Sequence, residues 1–80
     1  MSKKNNLPFA ECTSRSLKRY LKDLNGEVPA ALYDMVISQV EKPLLEVVMK
    51  RAENNQTRAA QMLGLNRNTL RKKLRDHGLI

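Results

Sequence analysis

The stretch Asn55-Gln56-Thr57-Arg58-Ala59-Ala60-Gln61-Met62-Leu63-Gly64-Leu65-Asn66-Arg67-Asn68-Thr69-Leu70-Arg71-Lys72-Lys73-Leu74-Arg75 decides how this chain folds. Within it Ala59 and Ala60, Gly64, Leu65, Leu70 and Leu74 match the spacing of a helix-turn-helix. Two helices crossing at about 90 to 120° approach closely, so their contact requires small residues, and the paired alanines meet that need. Gly64 supplies the left-handed conformation of a sharp turn at little cost. Asn66 is placed to cap the second helix through its side-chain oxygen, with Arg67 opening the first turn. Gly78 ends that helix, and Lys73 and Arg75 stand near its C-terminus, where the helix dipole favours cations.

On the second helix only Leu70 and Leu74, spaced i and i+4, point inward. At 100° per residue, Asn68, Arg71, Lys72 and Arg75 lie opposite or oblique to that seam, and Arg67 and Thr69 flank the first turn. Such a face suits a DNA major groove: Arg bonds bidentately to guanine O6 and N7, and Asn, Lys and Thr add donors for base edges or phosphates. Asn55, Thr57 and Arg58 sit at the start of the preceding helix, where free backbone N–H groups and the dipole already favour a phosphate. Capping alone also explains Asn55 and Asn66. A basic helix can be no more than a solvated face, but the coincident alanines, glycine, cap and leucines favour the reader of DNA.

Upstream, Pro8 suits the first turn of a helix, where its missing N–H costs nothing. Phe9, Leu17, Tyr20, Leu21 and Leu24 recur at near-helical spacing with Lys18, Arg19, Lys22 and Asp23 between them, giving an amphipathic first helix. Asn25-Gly26 is a natural stop, and Pro29 suits the start of a second helix running to about Ala52. There Leu32, Met35, Val36, Val40, Leu44 and Val47 form one apolar stripe, widened by Tyr33, Ile37 and Val48. Past Pro43, which should kink rather than end the helix, Leu44, Leu45, Val47, Val48 and Met49 leave only Glu46 as an interruption. A single small chain cannot cover so much apolar surface, so a second copy is expected on it. The expected interface is Met35, Val36, Val40, Leu44, Leu45, Val47 and Val48. The reading divides one structural domain into a disordered tail (1–7), a two-helix dimerisation core (8–53) and the helix-turn-helix (54–80).

Composition agrees. Eighty residues make one small domain, which buries only about 60 to 65 % of its unfolded surface and has little margin of its own. The single Cys12 forms neither an internal bridge nor a ligand cluster, so no metal or other cofactor is expected and a partner subunit is the remaining source of stability. Lys and Arg number 15 against 8 Asp and Glu, a net charge of +7, which favours polyanionic partners. From Asn54 onward six basic residues face one acidic residue. No strand-like alternation appears, so the fold class is all-α with a C-terminal helix-turn-helix. The polar start, Met1-Ser2-Lys3-Lys4-Asn5-Asn6, is not a secretory signal, and no apolar run approaches the 18 or so residues of a membrane span. The expected location is the cytoplasm.

Catalysis is not expected. His77 stands near the chain end and Cys12 in the first helix, neither with an evident partner, and Ser14, Ser16 and Ser38 carry no nucleophile motif. Phe9, Tyr20 and Tyr33 lie on apolar stripes and read as core rather than as a stacking platform for single strands. The rival from another class is a helical dimer that binds other proteins and whose reader helix is vestigial.

The tract Asn55-Gln56-Thr57-Arg58-Ala59-Ala60, Gly64-Leu65-Asn66-Arg67 and Thr69-Leu70-Arg71-Lys72-Lys73-Leu74 closely resembles the Fis family of bacterial nucleoid-associated proteins. The same tract occurs in the C-terminal output domain of enhancer-binding activators similar to the nitrogen regulator. Leu24-Asn25-Gly26, Leu32-Tyr33, Val40-Glu41-Lys42-Pro43-Leu44-Leu45 and Val48-Met49 also look like Fis without a gap, so the resemblance spans about Pro8 to Leu79. It implies a four-helix subunit, an intertwined homodimer built on the first two helices, and binding to degenerate sites with an AT-rich centre. In the family the two recognition helices lie closer than one turn of straight DNA, about 34 Å, so the duplex must bend, and a compressible AT-rich minor groove lowers that cost. Carried residue by residue, Asn66, Arg67 and Lys72 would face bases, while Asn55, Thr57, Arg58, Thr69, Arg71, Lys73 and Arg75 would hold backbone. Two departures stand out. Longer members carry an N-terminal hairpin arm that contacts DNA invertases, and the seven residues before Pro8 are too few to build it. Asp76 stands where the family has a basic residue, which should weaken contact with bent flanking DNA.

Overall fold

The computed structural model of the chain describes residues 7–80. They form α1 (Phe9–Asp23), α2 (Leu32–Arg51), α3 (Gln56–Leu63) and α4 (Arg67–Asp76), and no strand occurs among the described residues. The tail expected over residues 1–7 lies outside them, apart from the exposed Leu7. The chain divides into two compact units, Met1–Leu32 and Tyr33–Ile80.

In the first unit Pro8 precedes α1, and its carbonyl accepts from the Cys12 N–H at 3.0 Å. Leu17 and Leu24 are half-buried, while Phe9, Tyr20 and Leu21 on the same apolar side are exposed. The helix stops at Asn25 and Gly26, both left-handed at φ +56° and +91°. The second helix does not begin at Pro29 as expected. Residues 27–31 are non-helical, and Ala31 at φ +53° cannot be part of a right-handed helix, so α2 starts three residues past Pro29, at Leu32.

In the second unit α2 runs through Pro43 unbroken. Leu45 and Ala52 of α2, Ala59 and Ala60 of α3, and Leu70 and Leu74 of α4 form the buried core, with Val48, Met49, Leu63 and Leu79 packed against it. The alanine pair is almost completely covered, as a close helix crossing demands. Leu45, expected at the interface with a second copy, is instead 1 % exposed within the chain itself, because its side of α2 faces α3 and α4.

One device ends all three helices of this unit. The N–H of Asn54 donates to the Met49 carbonyl at 2.8 Å, that of Leu65 to Ala60 at 2.9 Å, and that of Leu79 to Leu74 at 2.8 Å. Each bond spans a left-handed residue: Glu53 (φ +57°), Gly64 (φ +72°) and Gly78 (φ +70°). These closures satisfy carbonyls that a helix end leaves free, and the last folds Leu79 back onto the core.

The opposite side of α2 is apolar too. Tyr33, Ile37, Val40, Leu44 and Val47 follow one another at intervals of four, three, four and three residues, the spacing of a coiled-coil seam, and all are exposed. Val40 is 53 % exposed and Val47 67 %, so neither is part of the core that surrounds Leu45.

Candidate nucleic-acid interface

The interface is built on α3 and α4. Asn55 precedes α3 in extended backbone, and its Oδ1 accepts from the Arg58 N–H at 3.1 Å. Asn66 does the same for α4, accepting from the Asn68 N–H at 2.8 Å. Both asparagines are therefore caps, as their position predicts. With each Oδ1 occupied, the amide Nδ2 of these exposed side chains is the group left to donate outward.

Leu70 and Leu74 are fully buried, and α4 is anchored by that narrow seam. Asn55, Thr57, Arg58, Asn66, Arg67, Thr69, Arg71, Lys72 and Arg75 are all exposed. Nine of the ten residues expected to meet nucleic acid are thus open to solvent. Asn68, the other residue of the outward arc, is exposed as well.

Lys73 departs from expectation. It follows Leu70 by three residues and precedes Leu74, so it flanks the inward seam, and its Nζ lies 2.8 Å from Glu41 Oε2 on α2. His77, expected without a partner, places Nε2 2.9 Å from the other oxygen of the same carboxylate, with only 11 % of its side chain exposed. Glu41 thus bridges α2 to two successive turns at the end of α4. Hydrogen bonds from Lys73 and then from His77 hold the Glu41 carboxyl below its ordinary 4.5, and the Glu41 carboxylate raises Lys73 above its ordinary 10.5. Sequence reasoning missed Glu41. In the structure it stands four residues before Leu45, on the side of α2 that turns to the core, a side that periodicity alone does not identify.

Lys72 is also paired, Nζ lying 3.0 Å from Asp76 Oδ2 one turn on, but 73 % of its side chain is exposed. Asp76 therefore neutralises part of the outward basic face. No group of His, Cys, Asp and Glu suited to a metal ion occurs among the described residues, and no described helix is long and apolar enough to cross a membrane.

Comparison with known proteins places this architecture. Residues 36–77, spanning most of α2 and all of the helix-turn-helix, match the family described as bacterial regulatory protein, Fis family. A Fis-like protein of Neisseria meningitidis serogroup B is 58 % identical over 72 residues, covering 90 % of this chain and 91 % of that one. A Fis-like protein of Ralstonia nicotianae is 56 % identical over 73 residues, covering 91 % of this chain and 95 % of that one. The DNA-binding protein Fis of Haemophilus ducreyi is 51 % identical over 74 residues, covering 92 % of this chain and 76 % of that one. With its four helices, its capped helix-turn-helix and these relatives along nearly its whole length, the chain belongs to the Fis family of bacterial regulatory proteins.

Proposed function

We propose that this chain is a regulatory DNA-binding protein, not an enzyme, that holds double-stranded DNA as a homodimer in the bacterial nucleoid. The observation that carries the reading is α4 itself: two leucines bury one edge while Arg67, Asn68, Arg71, Lys72 and Arg75 are all exposed. The relatives named DNA-binding protein Fis support it. In this reading Asn66, Arg67 and Lys72 meet bases, and Asn55, Thr57, Arg58, Thr69, Arg71 and Arg75 meet backbone. Lys73 joins them only by leaving Glu41.

The exposed 4-3-4-3 stripe of α2 supports the homodimer, since a second copy laid along it would remove Ile37, Val40, Leu44 and Val47 from water. Two reader helices on one assembly would meet successive grooves. The family resemblance implies that the paired reader helices lie closer than one turn of DNA, and at such a spacing sites with an AT-rich centre and bending of the duplex would be favoured.

Binding to a duplex with an AT-rich centre tests this. A protein neutralising about 6 to 10 phosphates loses roughly 10³- to 10⁵-fold in affinity between 50 and 200 mM salt. A flat salt response would remove the DNA reading and leave the protein-interaction module. Migration that changes with the position of the site along a fragment reports the bend.

A further inference from the structure

The polar side of α1 carries a second basic surface. Arg15, Lys18, Arg19 and Lys22 follow the spacing i, i+3, i+4 and i+7, which gathers them within about 100° of the helix circumference. All four are exposed, and among the described residues none is in an ion pair. Glu11 begins the same stripe and Asp23 borders its end, so four cations meet two carboxylates on this helix.

We propose that this stripe is a second, sequence-independent contact for the phosphate backbone of duplex DNA, separate from the helix-turn-helix. From Arg15 to Lys22 the helix rises about 10 Å. Over that axial length a duplex carries about six charges. From Arg15 to Lys22 the stripe presents long cationic side chains and none of the Asn or Thr that accompany Arg on α4, so it is suited to bind charge rather than to discriminate bases. A basic amphipathic helix also raises the case for an anionic membrane. The apolar side that would have to enter such a membrane is partly covered within the chain, Leu17 and Leu24 being half-buried, and α4 offers a second exposed basic face suited to the same polyanion, so duplex DNA is the favoured occupant.

The inference rests on the proposed DNA binding, and the test separates the two. Replace Arg15, Lys18, Arg19 and Lys22 together by Gln, which retains helix propensity, and Arg15 and Lys22 alone in a second variant in case the first unfolds. Circular dichroism reports folding. Affinity is measured against salt on a preferred and a scrambled duplex of about 60 base pairs, together with capture of a labelled second duplex by protein already bound to an immobilised one. The expected result is a salt slope shallower by about 2 or more, or loss of second-duplex capture, with the preference between the two sequences unchanged. Wild-type slope and capture in folded variants would overturn the stripe while leaving the helix-turn-helix reading intact. Failure of the wild-type protein to bind DNA would overturn both. Cation-dependent binding to phosphatidylserine vesicles with unaltered DNA binding would assign the stripe to a membrane and overturn the proposal.

Discussion

Glu41 Oε2 lies 2.8 Å from Lys73 Nζ, tying the middle of the long helix to the far end of the reader helix. With His77 on its other oxygen, this carboxylate adds a polar tie to the end of α4 that Leu74 and Leu79 already anchor in the core. Glu41→Gln keeps the shape and removes the charge. Because both partners retain some contact with water, the expected loss is about 1 kcal/mol of unfolding free energy in urea. The folded carboxyl titrates below its unfolded value of 4.5, so its contribution is complete above that value and disappears as pH falls through the lower folded one. Lys73 titrates higher when folded, so its contribution is present below its ordinary 10.5 and fades as pH rises through the raised value. The stability gap between wild type and Glu41→Gln should therefore narrow as pH falls below 4.5, and a gap that stays constant below that value would show that the ion pair is not its source.

What was legible in the sequence were features set by local rules. The caps at Asn55 and Asn66, the turns at Gly64 and Gly78, and the Leu70/Leu74 seam follow from residue type and helical period, and the structure has each of them. The start of α2 was not legible, because a left-handed Ala31 contradicts the ordinary preference of alanine. Nor was the division of α2 into two apolar sides. Periodicity reports that Leu45 and Val47 are both apolar but not which one faces α3 and α4, since the near-continuous run Leu44 to Met49 has no polar border to orient it. The Glu41 bridge joins residues more than thirty positions apart, which no local pattern encodes.

Gly64→Ala isolates the backbone requirement of the turn. A Cβ at this position meets nothing within 4 Å, so the only cost is the left-handed φ of +72°. Thermal or urea unfolding should show a loss of about 1 kcal/mol, and Gly64→Asn, which tolerates that region, should lose less. Equal losses would mean that something other than backbone strain matters at the turn.

In the proposed interface Arg67 and Asp76 act on DNA in different ways. Arg67→Ala should cost about 1 to 3 kcal/mol on a preferred duplex and relax discrimination at one position. An equal loss on every sequence would show that Arg67 holds backbone. Asp76→Asn releases Lys72 from its 3.0 Å pair, so binding should tighten on all sequences alike, with a salt slope steeper by up to about 1. A change confined to preferred sites would assign the freed Lys72 to bases.

Val47 and Leu45 stand two residues apart on α2 and answer different questions. Leu45 is enclosed by α3 and α4, so Leu45→Ala removes core packing in either a single or a paired chain and should cost about 2 to 5 kcal/mol at any protein concentration. Val47 is 67 % exposed in the chain alone, where an aspartate would meet water at little cost. Along a stripe shared with a second copy, the same aspartate would be buried without a partner. Val47→Asp should therefore yield a single chain by sedimentation at about 10 µM, where the wild type sediments as a pair. For the wild type the unfolding midpoint should rise with protein concentration, because association stabilises by mass action. For Val47→Asp it should be lower and independent of concentration. A wild-type chain that sediments singly, with a midpoint insensitive to dilution, would remove the second copy from α2 and with it the pairing of reader helices on DNA.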